Sequence, residues 1–126
     1  MKVLIVDDDE NICLFLKGFF ISKDYEVIVA NNGDKAVEIA LNEAPDYIFL
    51  DYIIPGLNGV HVVKALNFAC KNVRTVIISG HDINIIKKQL NGYNNVVGYL
   101  PKPFDYTELK RLVSLIESEL KPVSKC

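Results

Sequence analysis

Apolar residues in this chain keep changing their period. Short continuous runs at residues 3–6, 26–30, 47–50, 75–78 and 96–100 are rich in Val, Ile, Leu and aromatic side chains. Each is followed by a stretch whose apolar residues recur at helical spacing. After the first run come Ile12, Phe15, Leu16, Phe19 and Phe20, with Asp9 placed to cap the helix. The second run leads into Asn31-Asn32-Gly33, a turn signal, and then a helix with Val37, Ala40 and Leu41 inward that stops before Pro45. A third helix is predicted over about residues 60–70, with Val62, Val63, Leu66 and Ala69 as its inner face. A weaker one covers about 83–90 and ends near Asn91-Gly92, a left-handed C-cap signal. Leu109, Leu112, Val113, Ile116 and Leu120 mark an amphipathic final helix.

Five strand–helix alternations predict an α/β fold. The strands lack polar alternation, as expected of a parallel sheet covered by helices on both faces. Right-handed crossovers make this a doubly wound (βα)5 three-layer sandwich, for which the flavodoxin-like strand order 2-1-3-4-5 is one of two common forms. In that order the first and third strands are neighbours at the switch point, where ligands bind beyond the strands' carboxyl ends. A chain of 126 residues has room for one domain. We expect it over residues 1–120, with 121–126 as a tail or the start of a linker.

The first and third strands both end in acid. Asp7-Asp8-Asp9 closes one and Asp51 the other. Like charges at the end of buried strands are costly unless a cation lies between them, and an all-oxygen pocket suits a hard cation such as Mg²⁺. Ser79 follows the fourth strand and Lys102 the fifth. Singly, Asp9 reads as a helix cap, Ser79 as a turn residue and Lys102 as a surface charge. Together they supply a metal site, a nucleophilic carboxylate, a hydroxyl donor and a fixed cation, the set that phosphoryl transfer to a carboxylate requires.

Composition narrows the function classes. Fourteen basic against sixteen acidic residues leave a net charge of −2, so no basic field argues for nucleic acid. Lys, Asp, Asn or Gly interrupts every apolar stretch before it reaches the length of a membrane helix, and Met1-Lys2 leads directly into a strand without a signal-like segment. Cys13, Cys70 and Cys126 lack paired spacing, which fits a reducing cytosol and makes Cys13 and Cys70 small core or boundary residues.

Four pieces then carry a resemblance: Leu4-Ile5-Val6-Asp7-Asp8-Asp9-Glu10; Leu50-Asp51 with Pro55-Gly56 and Asn58-Gly59; Ile78-Ser79-Gly80; and Tyr99-Leu100-Pro101-Lys102-Pro103-Phe104. The chain resembles a receiver domain of the response-regulator family of two-component signalling, from Lys2 to about Leu120. The resemblance implies a cytoplasmic phosphorelay switch, not a metabolic enzyme, that assists its own phosphorylation and slow dephosphorylation. Asp51 would be the phosphoacceptor, taking a phosphoryl group from a sensor histidine kinase or phosphotransfer protein. Asp8 and Asp51 would ligate Mg²⁺ (Mn²⁺ as substitute), Asp7 would act mainly through water, and the Ile53 backbone carbonyl would complete the set. Lys102 would pair with Asp51 and then a phosphoryl oxygen, Ser79 would donate its hydroxyl, and Lys102-Pro103 would be cis. Tyr99 would report the change by rotating, biasing an α4-β5-α5 output face toward an effector protein or effector domain, or toward a phosphorylation-linked homodimer. The first helix around Ile12 and Phe15 would face the kinase.

Some positions depart from the pattern. Gly80 stands where alanine is frequent, and residues 93–98 are a few more than the usual connection into the last strand. Tyr52 and His81 flank the site, at positions that influence acyl-phosphate hydrolysis in the family. Among rival readings, a flavodoxin-type cofactor binder needs a Ser/Thr/Gly-rich phosphate cradle where this chain has carboxylates. An aspartyl-phosphate phosphatase resembles Asp-x-Asp, and Ile53 occupies the second position. A phosphorylation-independent pseudo-receiver would have no need for the intact acidic set.

Overall fold

The computed structural model describes residues 1–56, 58–69 and 73–119. Five strands and five helices alternate: β1 (Lys2–Val6), α1 (Glu10–Ser22), β2 (Glu26–Ala30), α2 (Gly33–Glu43), β3 (Tyr47–Asp51), α3 (Gly59–Ala69), β4 (Arg74–Ser79), α4 (Ile83–Gln89), β5 (Val96–Pro101) and α5 (Tyr106–Ser118). All strand pairs are parallel and the order is β2-β1-β3-β4-β5, as the alternation predicts.

Alternate residues of each central strand point to opposite faces, so the apolar strands seed two cores. On one face Leu4, Ile48, Leu50 and Ile77 meet Ala36 and Ala40 of α2, Val62, Val63 and Leu66 of α3, and Ile86 of α4. On the other, Val3, Ile5, Phe49, Val76 and Ile78 meet Leu16, Phe19 and Phe20 of α1 and Leu109, Val113 and Ile116 of α5. Phe20 is the hub of this second core. Its ring centroid lies 4.9 Å from Tyr25, 5.0 Å from Phe49 and 5.2 Å from Phe19, at tilted and edge-on angles that suit the ring quadrupoles.

Helix entries are marked by capping residues. Asp9 accepts from Asn11 N, Asn32 from Lys35 N and Asp82 from Asn84 N, while Asp105 and Glu108 form a capping box that opens α5. Asn31-Asn32-Gly33 is therefore a helix start more than a free turn. Gly33 N also donates to Pro55 O at 3.0 Å, which ties α2 to the loop beyond β3.

Two inner-face expectations need correcting. Leu41 and Ala69 are exposed, because α2 turns Ala36 and Ala40 inward and α3 turns Val62, Val63 and Leu66; Phe15 lies exposed on the rim of α1, 5.9 Å from the Phe104 ring. Gly92 is left-handed (φ 91°) beyond α4, as its C-cap signal predicts. The extra residues before β5 are folded in as a bulge: Thr75 pairs with Val96 but Val76 with Gly98, so Val97 is unopposed. Asn95, just ahead of it, is buried, with its carbonyl accepting from Thr75 N at 2.7 Å. Expectations for Leu57, Cys70, Leu120, Cys126 and the 121–126 tail lie outside the described residues.

Candidate functional site

The parallel register brings the carboxyl ends of β1, β3, β4 and β5 to one edge. Val6 is level with Leu50, Asp51 with Ile78, and Ser79 with Pro101. The next residues of β1 and β5 are Asp7 and Lys102. Side chains from residues 7, 51, 79 and 102 are thus delivered by strands whose positions the two cores fix.

Asp7 is 1% exposed, Asp51 8%, and Asp8 faces solvent. Each offers a carboxylate oxygen, and the three oxygens lie within 4.8 Å of one another. The Lys102 ammonium reaches into this group, with Nζ 3.1 Å from Asp7 Oδ2 and 3.2 Å from Asp51 Oδ2. It donates a hydrogen bond to Asp51. At Asp7 it forms an ion pair off the hydrogen-bond line, leaving buried Oδ2 without a hydrogen bond among the described residues. The second oxygen, Oδ1, accepts from Asp9 N at 2.9 Å.

Charge in the cleft does not balance. Burial, and then the neighbouring charge of Asp7, lift the Asp51 carboxyl from 3.8 to about 6, against the opposing pull of Lys102. Burial pulls the Lys102 ammonium down, but the close Asp7 carboxylate and then the charge and hydrogen-bond acceptance of Asp51 outweigh it and leave the lysine above its ordinary value. Two carboxylates thus share one ammonium, with the third, Asp8, beside them. A buried carboxylate oxygen without a hydrogen bond, two more carboxylates beside it and an open mouth are what a hard divalent cation requires. The residues present fit a divalent metal site.

The remaining predicted residues surround this cleft. Ser79 is buried and its Oγ accepts from His81 N at 2.9 Å, while Lys102 N donates to Ser79 O at 2.8 Å. The His81 side chain is exposed. Lys102-Pro103 is cis. Ile53 N reaches Asp51 Oδ1 at 3.4 Å, and its side chain is exposed. Tyr99 is half-buried on β5 against the core that holds Ile86 and Leu90, farther along the strand from the acids.

Three further residues, Cys13, Gly59 and Gly56, support this site. Cys13 Sγ donates to Asp7 O at 3.2 Å, and burial followed by the Asp7 charge pushes its thiol up, so it stays a protonated prop for the β1 end. Gly59 permits backbone contact: a Cβ there would lie 2.8 Å from Tyr52 Cα and O. Gly56 is left-handed (φ 79°), with Asp34 Oδ2 in the space a Cβ would take. The Asn58-Gly59 and Pro55-Gly56 pairs were legible as loop signals and as pieces of the family resemblance, while nothing in the sequence pointed to Cys13.

Comparison with known proteins agrees with this geometry. The family model described as response regulator receiver domain matches residues 3–114. Sporulation initiation phosphotransferase F of Bacillus subtilis (strain 168) is 32% identical over 115 residues, covering 89% of this chain and 90% of that protein. The alkaline phosphatase synthesis transcriptional regulatory protein PhoP of the same organism is also 32% identical over 115 residues, covering 91% of this chain but 48% of PhoP. The chain therefore spans about half the length of such relatives. Among solved structures, the response regulator TrrA from Thermotoga maritima, in complex with Mg(2+)-BeF, aligns with a TM-score of 0.79 at 25% identity over 91% of this chain and 97% of that one. No helix among the described residues is long and apolar enough to cross a membrane.

Proposed function

This chain belongs to the response regulator receiver domain family of two-component signalling, and from that premise we propose that Asp51 is its phosphoacceptor. The observation that carries the assignment is the position of Asp51: a buried carboxylate held by Lys102 at the mouth of the cleft and raised to about 6 by burial and Asp7, which makes its oxygen a more basic nucleophile than an ordinary carboxylate. A divalent cation, Mg²⁺ or Mn²⁺ in its place, would be held by Asp8, Asp51 and the Ile53 carbonyl, with Asp7 acting mainly through water, and would supply positive charge to the carboxylates and to the phosphoryl oxygens.

The chain's own residues do the rest. A carboxylate oxygen of Asp51 attacks the phosphorus of a phosphohistidine on the donor protein; the O–P bond forms as the P–N bond breaks and its electron pair returns to the imidazole. Lys102 holds Asp51 in place beforehand and afterwards pairs with a phosphoryl oxygen. Ser79 already accepts from His81 N and keeps its own hydroxyl proton to donate to the phosphoryl group. Tyr99 then repacks against the Ile86–Leu90 side of the sheet, shifting the population of the α4-β5-α5 face.

In this reading the domain is a cytoplasmic switch that assists its own phosphorylation and dephosphorylation, and it extends over residues 1–120. Its donor is a sensor histidine kinase or phosphotransfer protein. The groove between α1 and the start of α5, lined by Ile12, Phe15, Pro103, Phe104 and Tyr106, is the donor's docking surface. Its output is an effector protein, an effector domain or a second copy.

The test is intact mass after incubation with acetyl phosphate and Mg²⁺, for the parent chain and Asp51→Asn. We expect one phosphoryl group on the parent alone, lost when the metal is chelated. A parent that accepts nothing from acetyl phosphate or from a histidine-kinase donor is a pseudo-receiver, and the assignment falls.

A further inference from the structure

The helix α4 is short and thinly attached. Seven residues form it, with Ile86 its one buried side chain, so neither propensity nor packing holds it strongly. Two tyrosines reach its last turn, one from β5 and one from the loop directly after β3. Tyr99 on β5 has its ring centroid 5.3 Å from the Lys87 ammonium, within cation–π range. Tyr52, the residue directly after Asp51, donates its hydroxyl to Gln89 Oε1 at the end of α4. Lys87 and Gln89 are two apart and so project to different sides of the helix.

The Tyr52 end of this contact is rigid. Its N–H donates to Ile78 O at 2.9 Å and its carbonyl accepts from Gly59 N at 2.8 Å. Contact with Gly59 leaves no room for even a Cβ. The backbone beneath the ring is therefore tied to β4 and the start of α3, and the Gln89 end is the freer of the two.

We propose that Tyr52 is a positioning residue that tethers the last turn of α4 to the acceptor strand and holds the helix in its unmodified arrangement. The proposal rests on the receiver reading above and adds to it a direct link from the residue beside Asp51 to α4. That link is separate from Ser79 and Tyr99. A change in the loop that carries Tyr52 pulls on Gln89, and a change at Tyr99 pulls on Lys87. The α4 helix moves when the tether breaks. Losing one partly exposed hydrogen bond raises the population of the released arrangement roughly two- to fivefold.

The experiment is amide hydrogen exchange on the unmodified full chain, for the parent, Tyr52→Phe, Gln89→Leu and the double variant, paired with the rate of modification by acetyl phosphate and Mg²⁺. Gln89 is exposed, so Gln89→Leu tests the tether without risk to folding. The reporters are the Ile86 and Leu90 amides, which donate to Asp82 O and Ile86 O; Phe49 and Leu50 in β3 are the controls. We expect each single variant to speed exchange at Ile86 and Leu90 and to speed modification by a similar roughly two- to fivefold factor, with the double variant no faster and the β3 amides unchanged. A merely structural role would not speed modification. Unchanged exchange in α4, additive effects in the double variant, or an unchanged modification rate would each overturn the tether. Failure of the receiver reading looks different, because the parent itself would then take up no phosphoryl group.

Discussion

Replacing Asp51 by its neutral isostere should make the metal-free protein more stable. Asp51 has a folded-state value of about 6 against 3.8 for the ordinary carboxyl, through burial first and the Asp7 charge second. The folded state therefore binds this proton more tightly than the unfolded chain. Ionisation costs nothing below about pH 3.8, the cost grows between about pH 4 and 6, and it is full above that. At 1.36 kcal/mol per pH unit the ceiling is about 3 kcal/mol. Water entering beside exposed Asp8 screens part of it, so we expect about 1–2 kcal/mol. An asparagine keeps the shape and an oxygen that accepts from Lys102, and Lys102 retains its ion pair with Asp7. Urea unfolding of the parent and Asp51→Asn, with chelator, is the assay. The variant should be the more stable at about pH 7.5 and the gap should shrink to a minor fraction by about pH 4. Added Mg²⁺ should stabilise the parent more than the variant, as mass action at an intact site requires. A variant less stable than the parent at neutral pH, or a gap independent of pH, would refute the electrostatic account of the cleft.

Three further outcomes follow from the same structure. Lys102→Met leaves Asp7 and Asp51 without their shared cation, and should lower stability by about 2–3 kcal/mol at neutral pH in thermal melts and slow acceptor modification by roughly 100-fold. Tyr25→Phe removes the hydroxyl that donates to Glu117, costing about 1 kcal/mol by urea unfolding. Burial raises the Glu117 carboxyl, but Tyr25 and Lys23 together hold it below its ordinary value; that stabilisation is present above about pH 4.5 and lost as the pH falls, so the gap between parent and variant should narrow in acid. Gly59→Ala places a Cβ 2.8 Å from Tyr52 backbone atoms, which cannot swing aside, and should cost about 1–3 kcal/mol, with chemical-shift changes centred on residues 52–56.

Where sequence reading succeeded, the information was local. Residues 3–6 and 47–50 are continuous and apolar, which requires strands covered on both faces, and helical spacing between the strands sets the alternation that leads to the 2-1-3-4-5 order. Asp9 reads as a cap because capping needs only its own neighbours. Leu41 and Ala69 fell on the wrong side of that reading. A helix's apolar stripe is wider than the strip the sheet can cover, and spacing alone does not say which edge of the stripe is left out.

Residue types fit for a cation and a phosphoryl group, and their places at strand ends, were thus determined by the chain's own order. Tertiary structure decided what each of them experiences. Adjacent Asp7 and Asp8 differ in burial because successive side chains at the end of β1 point in opposite directions, one into the cleft and one to water. Lys102 divides itself between Asp7 and Asp51 at 3.1 and 3.2 Å, although sequence suggested Asp51 alone. The bulge that absorbs Val97 and the bond from Tyr52 to Gln89 were equally unwritten in local pattern. Each depends on the register between strands far apart in the chain, and distances of a few tenths of an ångström across that register set the desolvation and Coulomb energies that local periodicity does not encode.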